Sequence, residues 1–254
     1  MPTALVTGAS RGLGLELCRQ LLARGYSVIA ACRAGKSAGL DALQGDLKGA
    51  VTLKVVALDV AERESVLELA RWLEAEAIAL DFLFNNAGVA LARDAQLEDP
   101  PLQAAVTTFL TNVVGPHSCL SAFLPALARA AGGAFRVVNI SSSLGSIGML
   151  STDVETGLDP KGGFKGTDWT YRVSKAALNM TTVCQALELK AKYPNVAVAS
   201  VHPGWVQTDM GSSNGRTAPL TPEESIAGVL ERAFELSPGR SGQYVDWTGA
   251  TMPF

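Results

Sequence analysis

Residues 3–33 read TALVTGASRGLGLELCRQLLARGYSVIAACR, and this stretch decides the fold. Thr3 to Thr7 is a short apolar and β-branched run of the kind that forms a buried strand. Leu13, Leu17, Cys18, Leu21 and Leu22 then recur at the spacing that lines one helix face, and Gly25 stops that helix. A second β-branched run follows from Ser27 to Cys32. Strand, helix and strand in this order make a βαβ unit, whose helical crossover joins parallel strands.

The alternation continues to the end of the chain. Further strands are expected at Val51 to Leu58, Phe82 to Phe84, Phe135 to Ile140, Val196 to Val201 and Gln243 to Val245. Between them Val66, Leu69, Ala70 and Leu73 form a helical stripe, and Trp169 to Lys192 has helical composition. Thr221-Pro222 starts another helix with a cap residue followed by proline. The fold class is therefore α/β, a doubly wound Rossmann arrangement with helices on both faces of a mostly parallel sheet, expected as one domain over residues 1–254. One segment breaks the rhythm: Gly157, Pro160, Gly162, Gly163 and Gly166 mark an inserted loop at about 151–168.

The 254 residues are 48% hydrophobic and 18% charged, with a formal net charge of −3, which excludes a disordered chain and a basic nucleic-acid or membrane binder. Cys18, Cys32, Cys119 and Cys184 have neither CxxC pairing nor a histidine at metal-ligand spacing, so buried thiols are expected, with no metal. No basic leader precedes the first strand and no apolar run reaches membrane-spanning length, so a cytoplasmic protein is expected.

Between the first strand and first helix lies Thr7-Gly8-Ala9-Ser10-Arg11-Gly12-Leu13-Gly14. Glycines there let the backbone approach a pyrophosphate, and the free amides at the helix start favour an anion. The spacing is G-x-x-x-G-x-G, and a glycine turn between strand and helix also has purely steric uses. At the end of the second strand a carboxylate would select NAD, but the sequence reads Cys32-Arg33 with no acid before Asp41. Arg33 and Arg11 are thus placed to hold a 2′-phosphate, which points to NADP(H). Singly, each reads as an ordinary surface arginine.

Tyr171 and Lys175 stand four residues apart on one helix face. Alone such a pair is common, with tyrosine packed and lysine solvated. Asn139-Ile140-Ser141-Ser142-Ser143, however, puts hydroxyls beyond the fifth strand, at the sheet edge where open α/β folds bind ligands. Carbonyl reduction needs a proton donor, a hydroxyl that orients the carbonyl oxygen and a cation near the donor, and all three residue types are present.

TGASRGLG (7–14), LDV (58–60), NNAG (85–88), LTNVVG around Asn112, NISSSLG (139–145), YRVSK (171–175) and HPGWVQTDM (202–210) occur in one order. Together they resemble the short-chain dehydrogenase/reductase family over almost the whole chain, and most of all its C-factor and carbonyl-reductase-like branch. The resemblance implies strand order 3-2-1-4-5-6-7 and a catalytic tetrad of Asn112, Ser142, Tyr171 and Lys175. Ser142 is selected because the family's serine is the fourth residue of N-I-x-S and lies three before a glycine. The implied cofactor contacts begin with the glycine turn: Gly8, Ser10, Arg11, Gly12, Leu13 and Gly14. Cys32, Arg33, Asp59 and Val60 follow, with Asp59 facing the adenine, and Asn86, Ala87 and Gly88 line the ribose side. Tyr171 and Lys175 contact the nicotinamide half, where Pro203, Gly204, Val206, Thr208 and Met210 complete the set and Val206 and Thr208 hold the carboxamide.

The resemblance further implies an NADPH-dependent reduction of aldehydes or ketones in which Tyr171 donates the proton, Lys175 lowers the tyrosine pKa and Asn112 holds a relay water. Ser142 and Tyr171 are 29 positions apart, where most members have roughly half that, so the inserted loop makes the substrate this chain's own. Family oligomers often pair the helices near 102–130 and 169–192. An insertion beside the second implies a monomer or homodimer rather than a tetramer, with a small carbonyl or alcohol as partner and no nucleic acid or membrane. Two other readings stay open, an NADP-binding sensor without turnover and a C-factor-like signalling protein.

Overall fold

The structure, a computed structural model, describes all residues except 48, 94, 96, 97, 151–167 and 213–216. The loop expected at 151–168 therefore lies outside the described residues up to its last position. Among those described, β1 (Thr3–Thr7), β2 (Ser27–Cys32), β3 (Leu53–Ala57), β4 (Phe82–Asn85), β5 (Arg136–Ile140), β6 (Ala197–His202) and β7 (Tyr244–Asp246) form one seven-stranded sheet. Its order is β3-β2-β1-β4-β5-β6-β7, as expected, and every pairing is parallel. β1 pairs with β2 from Thr3↔Ser27 and with β4 from Ala4↔Phe82. The winding reverses between β1 and β4, so the loops leaving the carboxyl ends of these strands diverge and open a crevice.

β1 and β2 have the expected bounds. β3 is shorter because it pairs only with Val28 to Cys32 of β2. β4, β6 and β7 each run one residue further, to Asn85, His202 and Asp246. Those ends are polar, and a hydrophobicity count stops short of them.

The helices are α1 (Gly12–Ala23), α2 (Ala38–Gly45), α3 (Arg63–Ala75), α4 (Leu102–Phe109), α5 (Gly115–Ala128), α6 (Trp169–Lys192) and α7 (Pro222–Glu235). They cover both faces. Alternate strand residues feed two separate clusters: Val6, Ala30 and Phe84 join Leu17, Leu21, Val229 and Leu230 on one side, and Leu5, Ile29 and Leu83 join Leu69, Leu73, Phe123 and Leu127 on the other. α7 starts with a full capping box, Thr221 Oγ1 accepting from Glu224 N at 3.2 Å and Glu224 Oε2 accepting from Thr221 N at 3.0 Å. Cys18, Cys32 and Cys119 are buried as expected, but Cys184 is exposed, because Leu178, Thr182, Gln185 and Leu189 take the inward face of α6.

Candidate active site

The glycine turn is locked to the exit of β4. Thr7 Oγ1 accepts from the backbone N–H of both Asn86 and Ala87 at 3.0 Å, while Asn86 Nδ2 donates to Thr7 O at 2.9 Å and Gly8 O at 3.2 Å. Gly14 is required by this closeness: a Cβ there would meet the Gly8 carbonyl and come within 2.6 Å of Asn86 Nδ2. The Asn86 side chain, expected on the ribose side, is thus spent on holding the turn. No side chain caps the start of α1, whose first amides are left for an anion.

Lys175 and Ser142 come together because the turn after β5 presses against α6. Gly145 permits the approach, since a Cβ on it would lie 2.7 Å from the Lys175 carbonyl carbon. Ser141 Oγ donates to Asn179 Oδ1 at 2.6 Å. Ser142 caps the following turn, its Oγ accepting from Leu144 N at 3.2 Å, and its side chain acts on the Tyr171 phenol and pulls its pKa down. The Ser142 carbonyl accepts from Tyr244 Oη at 2.6 Å, a support from β7 that no sequence motif signals.

Lys175 Nζ donates to Ile140 O at 2.7 Å and lies 5.6 Å from the Tyr171 ring centroid. Burial brings its ammonium down to about 8. Burial likewise raises the Tyr171 phenol above its ordinary value; the Ser142 hydrogen bond and the Arg93 charge pull it back, and Asp168 opposes them.

Asn112 falls in a π-helical turn, Leu110–Val114, between α4 and α5. Widened turns of this kind recur at functional sites. Asn112 is fully buried behind Leu110 and Thr111, which line the cleft. Its Oδ1 accepts from Val89 N at 2.8 Å, and its Nδ2 donates to Val89 O at 2.8 Å and to Ser174 Oγ at 3.0 Å. The Asn112 side chain is committed to the loop after β4 and to Ser174.

Apart from Asn112, every expected site residue lines a single cleft of about 1880 Å³. Arg33 is exposed there and makes no hydrogen bond or ion pair with another described residue, whereas Arg11 pairs with Asp209 at 2.7 Å. The cleft also holds Arg93 and Asp168, which sequence reading missed; an isolated Arg in a loop and an Asp at a helix start carry no periodic signal.

A profile of the family described as short chain dehydrogenase matches residues 2–154, more than half of the chain. The chain belongs to the short-chain dehydrogenase/reductase family. Among relatives of this short-chain dehydrogenase, the short-chain dehydrogenase anuI of Penicillium roqueforti is 30% identical, over 100% of this chain and 97% of its own. The C-signal protein of Myxococcus xanthus is 35% identical, over 69% of this chain and 93% of its own. Of solved structures, the NADPH-bound carbonyl reductase from chicken fatty liver superposes with a TM-score of 0.83 at 31% identity, covering 100% of this chain and 99% of that one. Among the described residues of this short-chain dehydrogenase, no helix is long and apolar enough to cross a membrane.

Proposed function

We propose that this member of the family reduces aldehyde or ketone carbonyls to alcohols with NADP(H), using Tyr171 as general acid. The observation that carries the reading is the convergence of the Tyr171 and Ser142 side chains and Lys175 in the cleft that begins at the glycine turn. The residues suit a dinucleotide with a 2′-phosphate. The uncapped start of α1 offers amides to the pyrophosphate, Arg33 offers a charge at the end of β2, and no acid stands there to bind an unphosphorylated ribose. NADPH as found in the chicken carbonyl reductase supports the same choice.

The cofactor supplies hydride to the carbonyl carbon when bound. Ser142 donates a hydrogen bond that orients the carbonyl oxygen, and Tyr171 protonates that oxygen as negative charge develops on it. Lys175 spends one N–H on Ile140 O and offers the others to the cofactor's ribose. Asn112 holds the loop after β4 in register through its paired hydrogen bonds with Val89.

The test is NADPH oxidation across a panel of aldehydes, ketones and quinones with wild type and Tyr171→Phe. The variant keeps NADPH affinity and loses about 10²–10⁴-fold in turnover. Equal turnover in the two proteins would sink the assignment of Tyr171.

A further inference from the structure

We propose that Arg93 and Asp168 form a positioning pair for Tyr171, holding the first turn of α6 against the loop after β4 and keeping a balanced charge beside the phenol. The proposal rests on the reading of Tyr171 as the proton donor.

The pair is a bidentate fork. Arg93 Nε donates to Asp168 Oδ1 at 2.8 Å and Nη2 to Oδ2 at 3.0 Å, between side chains only 17% and 11% exposed. Charges this far from water interact strongly, and removing one partner leaves the other desolvated and uncompensated. The contact continues along the main chain: Asp168 N donates to Arg93 O at 3.0 Å and Thr170 Oγ1 to Leu91 O at 3.0 Å. Arg93 Nη1 also reaches Met210 O at 3.0 Å, in the segment after β6. Three walls of the cleft are thus tied at one guanidinium.

Position gives the pair its consequence. Tyr171 is the third residue of α6, in the first turn, where a helix ordinarily frays. Asp168 precedes that turn at φ +64, a left-handed conformation that Asp and Asn adopt more readily than most residues, and its carbonyl accepts from Arg172 N at 2.9 Å. The fork holds the residue in this conformation and so sets where the helix, and its tyrosine, begins.

Among the described residues, four charged or titratable groups face the phenol. Lys175 comes from its own helix, Tyr244 from β7, Arg93 from the loop after β4 and Asp168 from the start of α6. Burial is the largest influence on Tyr171 and raises it, while Arg93 lowers and Asp168 raises it. The two members of the pair therefore pull the tyrosine in opposite directions, which a merely structural strut would not do.

The experiment is a spectrophotometric titration of tyrosinate in the full-length protein without cofactor. Each variant is compared with the same variant carrying Tyr171→Phe, so that the difference isolates Tyr171. Asp168→Asn keeps the side-chain shape and tolerates the left-handed backbone, and it moves the Tyr171 titration down. Arg93→Gln moves it up, and Arg93→Lys, which keeps the charge, leaves it near wild type. In turnover of whichever panel carbonyl the wild type reduces, Arg93→Gln lowers kcat about tenfold through misplacement of the acid, with the KM for NADPH little changed. Shifts in the same direction for Asp168→Asn and Arg93→Gln, or no shift in either, overturn the proposal. Should Arg93→Gln not fold, Asp168→Asn and Arg93→Lys decide: a downward move in the first alone supports the pair, and its absence refutes it. A wild type that reduces no carbonyl refutes the proposed function, while the titration still decides the pair.

Discussion

Replacing Lys175 with methionine is expected to make the protein more stable at neutral pH. Lys175 is 4% exposed, and burial takes its ammonium from 10.5 in the unfolded chain to about 8 in the folded one. At about 1.4 kcal/mol for each pH unit between the two values, keeping the charge at pH 7 costs the folded state about 3 kcal/mol. Methionine fills similar space without that cost, but it gives up the charge-assisted bond to Ile140 O, a net loss of about 1.5 kcal/mol. The variant is therefore about 1.5 kcal/mol more stable at pH 7, or about 3–6 °C in Tm for a chain of this size. The sign with pH follows from linkage. Between 8 and 10.5 the unfolded chain binds a proton that the folded one does not, so wild-type stability rises with pH and the advantage of the variant shrinks. By pH 9.5 the cost of the charge has fallen to about 1.4 kcal/mol, and the two proteins nearly coincide. Paired thermal or urea melts at pH 7 and 9.5 measure this directly. A variant less stable than wild type at pH 7, or a difference that does not change with pH, would refute the reasoning.

Two further outcomes rest on the cofactor half of the cleft. Gly14→Ala puts a methyl group against the Gly8 carbonyl and Asn86, both held by hydrogen bonds, so the turn must shift; urea denaturation should reveal a loss of more than about 2 kcal/mol. Arg33→Asp places a like charge beside a bound 2′-phosphate at an exposed site, so the ratio of kcat/KM for NADPH to that for NADH falls roughly tenfold to a hundredfold. An unmoved ratio removes the physical basis for NADP(H) selection.

The sequence by itself determined the layers and the outline of the cleft. β1 and β2 end where their β-branched runs end, α1 lies where the leucine spacing puts it, and the Thr221–Glu224 box caps α7, because period and capping are short-range properties of neighbouring residues. The carboxyl ends of parallel strands must share one edge, so motifs placed just after β1, β2, β4, β5 and β6 were bound to meet there, and except for Asn112, behind the wall, they do.

Which atoms face the cleft was another matter. Ser141 and Ser142 are adjacent and alike in sequence; only the packing of α6 turns the first to Asn179 and the second to Tyr171. Asn86 and Asn112 read as site residues, yet their amides are consumed in holding the glycine turn and Val89, since a buried amide must find partners wherever the surrounding backbone presents them. Arg93 meets Asp168 across 75 positions and Tyr244 meets Ser142 across 102. Such contacts have no period and leave no local signal. They form only when separate loops converge at the sheet edge, so the tertiary structure alone decided how Tyr171 is held.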